Sequence, residues 1–250
     1  MSAGHCSRRN GIDIGRLTPA CRRRRAGRAA ADTSRETFDR AGQLRMIWTW
    51  LPLVGVAIFL GILCWRSWWQ RRRYGSRGVL FFQSQRWQEK VRDALGVVLV
   101  LFLVGQAVMA AAWPQALARV DATDHAAAEL WHVTGAALLF GGLALLVVAQ
   151  LHLGASWRIG IEEGSCPGLV TSGFYRFCRN PIFFAILIML SGYTVLLPTR
   201  LSVVLLAGAF IGIRQQVLTE ETYLSRTYGD AYRVYARHVG RFVPGIGKLR

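Results

Sequence analysis

Five apolar runs organise this sequence. Ala94 to Trp113 continues for twenty residues without a charge and Leu130 to His152 for twenty-three. Each is long enough to cross a hydrocarbon core of roughly 30 Å as a helix. Ile47 to Trp65 is a third run, Pro181 to Pro198 a fourth, and Leu201 to Leu218 a fifth that Arg214 interrupts. The pattern predicts an all-α integral membrane protein with five transmembrane helices. Trp48, Trp50, Trp65, Trp68, Trp69, Trp113, Trp131 and Trp157 fall at or near the ends of these runs, where an amphipathic ring prefers the headgroup layer.

The formal net charge of +17 changes the picture only through its distribution. Residues 1–45 carry eleven Arg against Asp13, Asp32, Glu36 and Asp39, which leaves +10 for the rest. From Arg66 to Asp93 there are eight basic and two acidic residues, whereas Pro114 to Glu129 holds one Arg and three acids. Lys and Arg accumulate on cytoplasmic loops, so the first segment is expected inside and the second outside. Alternation then places 155–180 inside, the Thr199–Arg200 turn outside and the C-terminus from Arg214 inside, giving a multi-pass protein with a cytoplasmic C-terminus. A charge spread over membrane-flanking loops argues for no nucleic-acid partner.

Residues 1–45 break this rule by falling outside. They are rich in Arg, Ala, Ser and Gly and cannot bury a core, so a disordered tail is expected. Met46 directly precedes the first apolar run, and translation from Met46 would remove the conflict; a transit peptide or basic anchor is the rival reading. The expected organisation is therefore a 1–45 tail, helices 1 and 2 in 46–129, and a C-terminal region, 130–250, with helices 3 to 5. The five cysteines, Cys6, Cys21, Cys64, Cys166 and Cys178, show no paired metal spacing, and His125, His132 and His152 are scattered, so no metal site is expected.

Candidate chemistry lies in the two polar segments flanking helices 4 and 5. Asn180 before Pro181 reads as a cap followed by proline at the first helical position. The free amides at that helix start, beside Arg179, offer a seat for a carboxylate or phosphate. Further on, Gln216 and Glu220 share a helical face, with Arg214 close by. Tyr228, Tyr232 and Tyr235, interleaved with Arg233, Arg237 and Arg241, suggest an amphipathic helix on the membrane surface.

Three blocks resemble the isoprenylcysteine carboxyl methyltransferase family and its phospholipid methyltransferase relatives. They are Leu169-Val170-Thr171-Ser172-Gly173-Phe174-Tyr175, then Arg179-Asn180-Pro181-Ile182-Phe183, and Glu220-Glu221 followed by Tyr228-Gly229-Asp230-Ala231-Tyr232 and Tyr235. The resemblance implies S-adenosyl-L-methionine as cofactor in a cytoplasmic C-terminal pocket, and a membrane lipid or lipidated acceptor entering from the bilayer. It implies cofactor contacts at Pro167, Gly168, Leu169, Val170, Tyr175, Asn180, Pro181, Ile182, Phe183 and Glu220. It also implies catalytic roles for Arg179 and Glu220, and an acceptor-facing role for Arg214 and Gln216. Asn180 stands where the family has His, Phe183 where it has Tyr, and Gln216 where prenylcysteine enzymes have Arg. Two alternatives are a sterol-reductase-like NADPH-dependent membrane oxidoreductase and a non-catalytic membrane binding protein.

Overall fold

The computed structural model describes residues 19–75, 87–117, 125–154, 157 and 168–249, with side chains from residue 46 onward apart from 125–128. The chain divides into two compact units, Met1–Met46 and Ile47–Arg250; the packing below is that of the second. Five helices follow one another: α1 (Pro19–Tyr74), α2 (Trp87–Ala112), α3 (His125–Leu153), α4 (Pro181–Leu196) and α5 (Arg200–His238). Short 3-10 turns occur at Pro114–Ala116 and Gly173–Arg176. Among the described residues there is no strand, only an isolated parallel bridge between Cys178 and Gly240. The protein is all-α and multi-pass. Four segments, Met46–Tyr74, Trp87–Ala112, Glu129–Leu153 and Arg200–His238, are long and apolar enough to span a bilayer.

Three boundaries differ from the sequence expectation, the first being that α1 starts at Pro19, within the stretch expected to be a disordered tail. The basic stretch after Trp65 is not wholly a loop, because α1 continues to Tyr74 and α2 begins at Trp87. Nor does α5 stop near residue 218; its backbone ladder does not end where its hydrophobicity does, and the helix continues to His238. At Gly229 the backbone leaves helical geometry, with φ 53° and ψ −124°, a conformation that only glycine adopts without strain. Asn180 does precede α4, but its side chain makes no capping bond. The cap position is instead satisfied from the opposite direction, as described below.

In a bilayer, helices are held by close contact and interhelical hydrogen bonds, since lipid is as apolar as leucine. α3 and α4 form the most extensive pair. They approach so closely that a Cβ on Gly192 would lie 2.3 Å from the Leu139 amide nitrogen, and one on Gly142 would lie 2.6 Å from that of Met189. Around them pack Val56 and Phe59 from α1, Leu103 and Ala107 from α2, and Leu205 and Ala209 from α5. α4, only 16 residues long, sits at the centre of this core with Ala185, Met189, Leu190 and Tyr193 buried.

Polar bonds tie the helix ends remote from the candidate site. The Tyr193 hydroxyl donates to the Leu103 carbonyl at 2.9 Å, and the Gln106 amide donates to Thr199 Oγ1. Thr199 and Ser202 close a reciprocal capping box at the start of α5. The tryptophans largely follow expectation: Trp50, Trp65, Trp68, Trp69, Trp113 and Trp131 are exposed on the bundle surface. Two differ: Trp48 is half-buried against the core, and Trp157 is only 2% exposed.

Candidate active site at the start of α4 and the end of α5

The polar residues singled out in the sequence converge where α4 begins and α5 ends. Arg179, immediately before the Asn180-Pro181 start of α4, is buried. Its guanidinium uses all five of its N–H donors. Nε and Nη2 donate to Glu221 Oε1 at 3.2 and 2.7 Å. Nη1 donates to the carbonyls of Ala236 and Val239 at 2.7 and 2.6 Å, and Nη2 also reaches the Gly247 carbonyl at 3.0 Å. Arg179 is thus a buried clamp between α4, α5 and the residues after α5, with no donor left for a ligand.

Glu221 is shared. Arg241 Nε donates to its Oε1 at 3.0 Å and Arg241 Nη2 to its Oε2 at 2.8 Å. This bond, foremost, raises the Arg241 pKa above the ordinary guanidinium value. One carboxylate therefore bridges two guanidiniums, a charge-assisted arrangement stronger than neutral bonds of the same geometry that leaves the trio at a net charge of +1. The residues after α5 also cover the α4 start. The Arg179 amide donates to the Gly240 carbonyl at 2.9 Å, and the Asn180 amide to the Arg241 carbonyl at 3.1 Å. The Asn180 side-chain amide and the Cys178 thiol donate to that same Arg241 carbonyl. Burial, offset only partly by the Asn180 amide and Arg179, pushes Cys178 up to about 11.

The glycine-containing loop is held by tyrosines from the far end of α5. The Gly168 amide donates to the Tyr228 hydroxyl at 3.2 Å, and the Tyr235 hydroxyl donates to the Tyr175 carbonyl at 2.5 Å. The break at Gly229 lies between these two tyrosines. Tyr232 turns inward and is 1% exposed, so the expected surface-lying helix is instead packed against the loop. Its hydroxyl is buried with no hydrogen-bond partner among the described residues. Tyr175 is buried too; desolvation first, then the neighbouring Glu220 carboxylate, Tyr235 and Cys178, raise its pKa and keep it a protonated donor.

Of the residues singled out for cofactor or acceptor, Pro167 lies outside the described residues. Gly168 is exposed; Leu169, Val170, Ile182, Phe183, Gln216 and Glu220 are half-buried; Tyr175, Asn180 and Pro181 are buried. The first helical bond of α4 runs from the Phe184 amide to the Asn180 carbonyl, which leaves the Ile182 and Phe183 amides ahead of the ladder. Arg214 is exposed on α5 and stands apart from the Arg179–Glu221–Arg241 cluster.

Known proteins share this region. Residues 130–231 match the family described as phospholipid methyltransferase. A protein-S-isoprenylcysteine O-methyltransferase of Dictyostelium discoideum is 28% identical over 121 residues, which cover 47% of this chain and 51% of that protein. The chain is thus similar in sequence to methyltransferases of both descriptions. The chain spans about half the length of the curated relative it matches. A solved eukaryotic intramembrane Ras methyltransferase, isoprenylcysteine carboxyl methyltransferase without a monobody, aligns with 19% identity and a TM-score of 0.43, over 67% of this chain and 56% of that one.

The matched region holds the Gly168–Tyr175 loop, the α4 start, Glu220 and Glu221. It excludes α1, α2 and the residues after Ala231. Arg241, Tyr232 and Tyr235 therefore serve this region from outside its matched bounds. Sequence reasoning missed the buried role of Glu221 and Arg241. The available signal was an acid pair, Glu220-Glu221, whose members face about 100° apart on one helix.

Proposed function

We propose that this protein is an S-adenosyl-L-methionine-dependent methyltransferase of the membrane, acting on a membrane lipid or lipidated acceptor. One observation carries the reading. The matched loop, the α4 start and the α5 carboxylate Glu221 are distant in sequence, yet they are bonded into one cluster through Arg179, Tyr228 and Tyr235.

The residues present suit such a cofactor. The Tyr232 hydroxyl is a buried donor with no partner among the described residues, and Glu220 is a second acid beside the one Arg179 consumes. When bound, the cofactor supplies an electrophilic methyl on a sulfonium. In this assignment the Ile182 and Phe183 amides receive an anionic carboxylate, helped by the positive end of α4. Glu220 accepts from an ammonium or from sugar hydroxyls. Gly168, Leu169 and Val170 form the wall, and Pro167 and Tyr175 belong to the same contact set. Asn180 and Pro181 hold the helix start in place.

Arg179 acts by positioning, since its donors are spent. Gln216 and Arg214 lie on the bilayer side of Glu220 along α5 and are assigned to the acceptor. An ionised carboxylate acceptor needs no general base, so orientation and exclusion of water suffice for in-line transfer; an amine acceptor would give its proton to Glu220. The basic loop charges favour a cytoplasmic face for this cluster.

The test is incubation of membranes containing the protein with methyl-labelled S-adenosylmethionine, followed by separation of lipids, proteins and small molecules. Label in a lipid or lipidated protein supports the reading. No transfer and no cofactor binding, or binding of NADPH instead, would replace it with an oxidoreductase or binding role.

A further inference from the structure

The chain after α5 holds a rigid turn that the Arg179 cluster does not explain. In Val243-Pro244-Gly245-Ile246 the Ile246 amide donates to the Val243 carbonyl at 3.1 Å. Proline at the second position and Gly245, with φ 81°, at the third suit a type II turn. The Arg241 amide donates to the Ile246 carbonyl at 2.8 Å, and the Leu249 amide to the Ala236 carbonyl at 3.0 Å, so the turn is tied down on both sides. Its apolar side chains nevertheless point outward: Ile246 is 68% exposed, and Val243 and Leu249 are exposed as well. Aliphatic groups fixed in this way gain nothing from the protein's own core, and an apolar patch with a polar rim marks a surface that meets a partner or a membrane.

A second exposed turn lies alongside. The parallel bridge between Cys178 and Gly240 joins the stretch before α4 to the chain after α5. Phe174 and Phe177 of that stretch are exposed. Arg176 lies over the Phe177 ring, 4.7 Å from Cζ to centroid, and makes no ion pair among the described residues. Lys248 is exposed after the first turn. The sequence beyond Asp230 contains no acid but carries Arg233, Arg237, Arg241, Lys248 and Arg250, of which Arg241 turns inward to Glu221.

Depth and charge together choose the partner. Pro181 opens the apolar helix α4, so Phe174 and Phe177 stand just outside the start of a membrane-embedded element, the level that aromatic rings and cations on aliphatic stems prefer. An apolar tip rimmed by cations suits anionic lipid, which takes aliphatic side chains into its acyl boundary and cations at its phosphates. A protein partner for the same patch would have to stand within the headgroup layer.

We infer that the Val243–Ile246 turn and the adjoining Phe174–Phe177 stretch form one interfacial anchor for anionic lipid: Val243, Ile246 and Phe177 enter the acyl boundary, and Arg176 and Lys248 meet lipid phosphate. The inference does not rest on the methyltransferase reading. It gives the bilayer a part in the site, because the anchored chain also carries the Gly240 and Arg241 carbonyls that cover the α4 start.

The experiment uses the full-length protein in lipid nanodiscs of phosphatidylcholine, with or without phosphatidylglycerol. Cys6, Cys21, Cys64 and Cys166 are replaced by Ser, buried Cys178 is kept, and a nitroxide is attached to the Val243→Cys or Ile246→Cys variant. The turn is held by backbone bonds, so neither label removes them. Relaxation of the nitroxide is measured with oxygen, which concentrates among acyl chains, and with a water-soluble nickel chelate. Strong oxygen and weak nickel relaxation is expected with phosphatidylglycerol present. Nickel accessibility should rise several-fold without phosphatidylglycerol, and equally in the Arg176→Gln/Lys248→Gln protein. Strong nickel relaxation in every disc would place the turn in water and overturn the inference. Protection from both relaxants would mean that a protein surface or a second copy covers the turn, and would overturn it too. Weak nickel relaxation that ignores both the lipid charge and the two substitutions would overturn the choice of anionic lipid.

Discussion

Asn180 and Arg241 are joined twice: the Asn180 backbone amide and its side-chain amide both donate to the one Arg241 carbonyl, at 3.1 and 3.3 Å. The residue that the sequence presents as a helix cap therefore faces backward, onto the chain that follows α5. A protein ending at His238 would lose this bond, the Gly240 contact to the Arg179 amide and the Arg241 half of the Glu221 cluster. Such a truncation is expected to insert in the membrane but to lose S-adenosylmethionine binding, measured by equilibrium binding in detergent.

The two adjacent acids are expected to separate by phenotype. Glu221→Ala strands the buried Arg179 guanidinium without its counter-ion, a defect of about 3–5 kcal/mol when a buried pair is broken. A large fall in Tm follows. Glu220→Ala removes the half-buried acid assigned to the ligand and is expected to leave Tm within a few degrees while abolishing cofactor binding. Equal Tm losses in the two variants would contradict the division of labour.

Gly229→Ala places a side chain in a conformation with φ 53°, a strain on the order of 1–3 kcal/mol. Relief by straightening α5 would pull Tyr228 from Gly168 and Tyr235 from Tyr175. Cofactor affinity should fall at least tenfold, whereas Gly208→Ala, with open space around its Cβ position, should leave it unchanged.

Gly192→Ala tests the bundle rather than the site. Its Cβ would overlap Leu139 backbone in α3, and forced separation of two packed helices costs about 1–3 kcal/mol. Thermal unfolding in detergent is the measurement, and a Tm equal to wild type would mean that α3 and α4 are not packed this closely.

Cys178 is the natural thiol reporter for the loop before α4, yet it is buried, bonded to the Arg241 carbonyl and has its pKa pushed up to about 11. At pH 8 only about one thiol in a thousand would be thiolate, and thiolate is the reactive species. Maleimide at pH 8 is expected to leave Cys178 unmodified in the folded protein and to label it after denaturation. Truncation after His238 should make it reactive without denaturant.

Much of this architecture is legible in the sequence, for a plain reason. Long uncharged runs such as Leu130–His152 carry their own length measure, so the helices were visible without any knowledge of their partners. Partner choice was not. Nothing in Glu220-Glu221 says which acid meets Arg179, because that depends on the rotation of α5, and nothing marks Arg241 as different from Arg233 or Arg237. Arg233 pairs with Asp230 on the surface, while Arg241, beyond the helix, turns back to Glu221. Arg66, which is buried, reads as one of several flanking cations; the one local hint is Gln70 four residues on, a second polar residue on the same face, also buried.

The length of α5 acts as a ruler. From Arg200 to Glu221 the helix rises about 31 Å at 1.5 Å per residue, nearly the depth of a hydrocarbon core. With Arg200 at one interface and α5 upright, the carboxylates would stand near the level where acyl chains give way to ester linkages. Under the proposed function, a lipid-tailed acceptor would lift its reactive head to Glu220 while its tail stays out of water, and the thickness of the surrounding bilayer would set how well the two align.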